Sequence, residues 1–165
     1  MAKRSTSGMP RSTARLAAVQ ALYQLEISGG DVEQVIAEFA AHRLGEAVDD
    51  VALVKPDPAL FAELVRGAVR SRRDLDDMIA AVLVEDWTIE RLETLLACIL
   101  RAGAHELADW PDTPARVIIS EYVDLADAFY ADKETGLVNG VLDRLARELR
   151  PSELAVPGGP SKAAG

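Results

Sequence analysis

One cysteine, two histidines and few aromatic residues limit the chemistry open to this chain. A lone Cys98 forms no internal disulfide and fits a reducing compartment. It lies inside LLACIL, where a thiol acts as a small buried hydrophobe. His42 and His105 are far apart and lack the Cys pair or HExxH spacing that would complete a metal site, so both read as structural. No Gly-rich phosphate loop follows a strand, and no GxSxG elbow is present. The acidic pairs Asp49-Asp50 and Asp76-Asp77 are neighbours, which on a helix point about 100° apart and do not converge. No catalytic residue, metal or cofactor is therefore expected, and no enzyme. Long apolar runs are missing too: none approaches the roughly 20 residues that span a bilayer. The basic start MAKRSTSGMPRSTAR is not followed by the apolar stretch of an export signal. A cytoplasmic protein without a membrane span is the expectation.

What is present is a chain of 165 residues, 49% hydrophobic and 27% charged, enough for one domain with a core. The formal net charge of −9 argues against whole-surface attraction to nucleic acid. Its distribution is uneven. Residues 1–15 hold Lys3, Arg4, Arg11 and Arg15, four of the 18 basic residues and none of the 27 acidic ones, a local +4 against −13 for the rest. Arg11 and Arg15 stand one helical turn apart, a spacing that can offer two forked donors to successive phosphates. Taken alone, such a basic terminus is more often a solubilising tail than a binding site.

Helical periodicity dominates the remainder. Leu16, Val19, Tyr23 and Ile27 recur at intervals of three and four between Ser12 and Ile27, the spacing of one helix face, and Gly29-Gly30 ends the segment. Asp31 opens a second helix through Val32, Val35, Ile36 and Phe39, and the chain then loosens from Gly45 to Lys55. Asp57-Pro58 starts a third through Leu60, Phe61, Leu64 and Val65, followed by a short fourth carrying Leu75, Met78, Ile79 and Val82. Thr88 is the expected cap of a fifth, from Ile89 to Leu100 and beyond, apolar over so much of its circumference that it should be central. Thr113-Pro114 starts the sixth, and the seventh runs from about Glu134 to Leu149. Asn139-Gly140 interrupts that last helix without breaking its pattern, so Gly140 is expected where another backbone comes close. The tail PSELAVPGGPSKAAG is expected to be disordered.

Two groups of motifs resemble the NusB family. RSTARLAAVQALYQLE, residues 11–26, is similar to the family's first helix. ILRAGAHEL (99–107), SEYVDLADAF (120–129) and LVNGVLDRLARELRP (137–151) follow its later pattern in order and spacing. The resemblance implies an all-α, seven-helix fold of two packed subdomains over residues 11–151, flanked by a flexible basic arm (1–10) and a disordered tail (152–165). It also implies transcription antitermination: binding of boxA-type RNA together with NusE, a small-subunit ribosomal protein, and entry into the elongating RNA polymerase complex with other Nus factors, notably on ribosomal RNA operons. Carried over by position, the RNA-binding residues are Arg4, Arg11, Arg15, Lys133 and Leu137, and Tyr23 is the partner-binding residue, with a core role for that aromatic standing beside it. A homodimer that hides the RNA surface is a further state known in the family.

Three departures from the family pattern bear on RNA. Ser12 and Thr13 replace arginines, Gly136 stands where lysine is frequent, and Leu137 replaces a phenylalanine, removing a stacking contact worth ~1–3 kcal/mol. Tyr130 is the nearby aromatic that offers bases a substitute. Two rival readings remain: a NusB-like accessory module of the kind that precedes RNA methyltransferase domains, and a purely protein-binding helical module. The first needs a cofactor domain with a Gly-rich turn, which is not found before Gly165.

Overall fold

A computed structural model describes residues 9–42, 56–84 and 86–154. Among them are seven α-helices and no strand: α1 (Met9–Ser28), α2 (Val32–His42), α3 (Pro58–Arg70), α4 (Arg72–Val82), α5 (Thr94–Asp109), α6 (Ala115–Phe129) and α7 (Asp132–Leu149). The loosened segment expected at 45–55 lies outside the described residues.

Local chemistry explains most boundaries. Asp57 accepts hydrogen bonds from the N–H groups of Ala59 and Leu60, with Pro58 at the first helical position of α3. Asp31 accepts from the Glu33 N–H at the start of α2. Gly29 and Gly30 take φ of 69° and 113°, a left-handed pair that turns the chain out of α1.

Two starts differ from expectation. Thr88 makes no side-chain cap; a 3₁₀ turn at Ile89–Arg91 follows it, and α5 begins only at Thr94. Thr113 does not cap α6 either. The Ala115 N–H instead donates to the Glu153 carboxylate at 2.9 Å, brought in from the far end of the chain.

Helices α1, α2 and α3 pack as one group and α4 to α7 as another, with α5 touching both. Every residue of α5 from Leu96 to Leu107 is buried, as its all-round apolar pattern requires. The close approach expected at Gly140 is not there: only the end of the Arg144 side chain lies nearby. It occurs at Gly67 on α3, where a β-carbon would land inside the His105 imidazole of α5. His105 is accordingly a packed core side chain, its Nε2 3.3 Å from the Glu63 carboxylate.

The C-terminal boundary also shifts. Residues 151–154 form a turn that buries Leu154, so the packed structure continues past 152. The remaining tail from 155 and the arm over 1–8 lie outside the described residues, while residues 9 and 10 already belong to α1.

Candidate nucleic-acid interface

The first turns of α1 are tied to three other parts of the fold. Arg11 Nη1 donates to Thr113 Oγ1 at 3.1 Å, in the α5–α6 loop. The Ser12 hydroxyl donates to Glu121 of α6 at 2.8 Å. Asp57, at the start of α3, donates its N–H to the Pro10 carbonyl at 2.9 Å.

Arg15 goes further inward. Its Nε donates to Glu106 Oε1 at 2.9 Å and its Nη2 to Oε2 at 2.6 Å, a two-pronged pair with side chains 2% and 0% exposed. The Tyr122 hydroxyl donates to the same carboxylate at 2.9 Å, and Glu121 lies 3.6 Å from Nη1. Burial works to lower the guanidinium pKa, but the hydrogen bonds and charge of Glu106 outweigh it and the net shift is upward. The Tyr122 hydroxyl is pushed well above its ordinary range, first by burial and then by the neighbouring Glu106 charge, so it remains a donor. Arg15, expected on a phosphate, is thus buried, with its Nε and Nη2 donors engaged by a carboxylate inside the protein.

The opposite side of α1 is also not as expected. Its core face is made of Ala14, Ala17, Ala18, Val19, Ala21 and Leu22, while Leu16, Tyr23 and Ile27 are 37%, 40% and 63% exposed. Small residues let α1 lie close to α3 and α5, which turns the large ones of the same periodic set outward. Tyr23 is therefore a surface residue. Val69 of α3 is exposed and helps line a cavity of about 190 Å³, together with Leu22, Leu25, Ala68 and Cys98.

At the other end of the candidate set, Lys133 is exposed in the first turn of α7, its ammonium 5.1 Å from the centroid of the Trp87 ring. Leu137, one turn on, is only 8% exposed and packs in the core, so it offers no surface to a base. Tyr130 is half-buried, whereas Phe129 beside it faces solvent. Helix α6 contacts both α1 and α7. Arg4 lies outside the described residues.

Glu106, Tyr122 and Trp87 carry no site signal in the sequence, and Thr113 reads there only as a helix start. Tyr122 was readable only as one more apolar position of α6. A partner 91 residues from Arg15 leaves no local signal.

The chain matches the NusB family over residues 12–147. It is 49% identical to the transcription antitermination protein NusB of Sinorhizobium fredii over 140 residues, covering 85% of this chain and 88% of that one. The Brucella ovis protein of the same name is also 49% identical, over 152 residues and 89% of each chain.

This chain belongs to the NusB family.

Among solved structures, T. maritima NusB superimposes with a TM-score of 0.70 at 28% identity, over 87% of this chain and 95% of that one. NusB in a crystal structure with NusE and double-stranded RNA gives 0.69 at 24% identity, over 84% and 97%, and speaks for the fold alone. The seven-helix, two-group architecture is thus the NusB fold. The curated relatives it matches are transcription antitermination proteins.

Proposed function

We propose that this NusB-family protein binds a boxA-type RNA jointly with NusE and joins the elongating RNA polymerase with other Nus factors in the cytoplasm, notably on ribosomal RNA operons. The observation that carries the reading is near-half identity to antitermination proteins across most of the chain. In this reading Arg4, Arg11 and Lys133 reach RNA phosphates, and Leu137 supports the start of α7 from beneath. Tyr23, with Leu16 and Ile27, receives NusE. The acidic body, −13 outside the first 15 residues, suits a basic ribosomal partner.

The sparse basic arm implies that RNA binds weakly to the protein alone and more tightly once NusE is present. A titration of boxA-type RNA with and without NusE, with molecular mass followed on the same sample, tests this and detects a homodimer. Equal affinity for a scrambled RNA with NusE present would refute sequence-specific recognition. The inward turn of Arg15 favours a second reading, a purely protein-binding module; NusE binding with no RNA affinity at all is its signature.

A further inference from the structure

Burying Arg15 and Glu106 removes two charges from water, a cost that a well-packed apolar pair of similar volume would not carry. Such a pair contributes geometry more than stability. The geometry matters here because the inner face of α1 is mostly alanine: beside Val19 and Leu22 it presents Ala14, Ala17, Ala18 and Ala21, short side chains that interlock little with the facing helices. A two-pronged guanidinium–carboxylate contact tolerates neither a slide along α1 nor a rotation about it. Tyr122 fixes the carboxylate from a third helix, and the Ser12–Glu121 and Arg11–Thr113 bonds extend the attachment to the first turn.

We propose that the Arg15–Glu106–Tyr122 cluster is a register pin for α1. It serves RNA binding without touching RNA, by fixing where the basic lead-in and the outer stripe of Leu16, Tyr23 and Ile27 stand relative to α5 and α6. Arg15 is then a positioning residue and not a phosphate ligand. The RNA part of this proposal rests on the function proposed above; the pin itself does not.

The test uses the full chain carrying Arg15→Gln with Glu106→Gln, which exchanges the ion pair for two neutral amides and strands no buried charge. Tyr122→Phe, which leaves the ion pair intact, is the milder second variant should the first not fold. Affinity for boxA-type RNA in the presence of NusE is measured over a range of salt, and amide hydrogen exchange is followed in both proteins. Affinity is expected to fall about tenfold in the double variant and severalfold in Tyr122→Phe, with the salt slope unchanged. Arg4→Ala, in contrast, should flatten that slope by ~0.9, one phosphate contact. Exchange in α1 should accelerate at least tenfold while α7 is unaffected. A slope lowered by ~0.9 in the double variant makes Arg15 a phosphate ligand and overturns the proposal. Unchanged affinity overturns its RNA part, and unchanged exchange in α1 overturns the pin. If the wild-type chain binds no RNA with NusE present, the proposed function fails, and the exchange data alone decide on the pin.

Discussion

A guanidinium with 2% of its side chain exposed persists inside this fold because its charge is matched on the spot. Removing either Arg15 or Glu106 alone leaves an uncompensated buried charge, at a cost of about 3–5 kcal/mol, whereas neutralising both together avoids it. Cys98, on the same helix as Glu106, shows what burial does to a group with no such match. Its thiol is pushed from 9.0 up to about 11, chiefly by burial, with the Arg101 charge pulling weakly the other way. The unfolded chain therefore releases this proton at a lower pH than the folded one. The stabilising term is complete below pH 9.0 and is lost as pH rises toward about 11. Because the thiolate is the reactive species, iodoacetamide at pH 9 should leave Cys98 unmodified in the native protein and label it in urea. Equal labelling rates in the two states, read by mass spectrometry, would contradict this account.

At the scale of elements, α1 separates what was legible from what was not. The order of seven helices, the Asp57-Pro58 start of α3 and the central place of α5 followed from caps and apolar periodicity, both local signals. Which side of α1 faces the core did not, because periodicity weighs Leu16, Tyr23 and Ile27 heavily and alanine hardly at all. In the fold, alanine wins the inside by permitting close approach. For the candidate site, family spacing marked segments but not the direction of each side chain: Arg15 and Leu137 turn inward, Lys133 and Tyr23 outward. The delayed start of α5 reflects the 3₁₀ turn at Ile89–Arg91, which opens at Thr88, the residue expected to cap α5 itself. If the outer face of α1 is a docking surface, Ile27→Gln should shift the free energy of urea unfolding by no more than ~0.5 kcal/mol, as at other surface positions. The same variant should weaken NusE binding about tenfold. A loss of stability with NusE affinity intact would place Ile27 in the fold's own packing and not at an interface.

At the scale of the whole molecule, the α5–α6 loop is where side chains from α1 and from the residue after α7 converge. Thr113 accepts Arg11 of α1 on its hydroxyl and Arg150, just past α7, on its carbonyl at 2.5 Å. Arg150 also donates to the carbonyls of Glu106, Leu107 and Trp110 at the end of α5, where the Glu106 and Trp110 carbonyls already accept from the N–H groups of Trp110 and Thr113. Glu153, three residues on, caps α6 and lies 3.4 Å from the same guanidinium. One arginine thus joins the ends of α5 and α7 and the turn that holds the start of α6. Arg150→Leu keeps the stem's packing but removes a donor from four carbonyls and strands those of Leu107 and Thr113, and should cost about 2–4 kcal/mol. Because the loop anchors α1 as well, the loss should be global. The urea midpoint read by circular dichroism and the one read by tryptophan fluorescence should fall together. If fluorescence changes early while the helical signal keeps its wild-type midpoint, Arg150 secures only the loop, and the two helical groups are held by α5 packing alone.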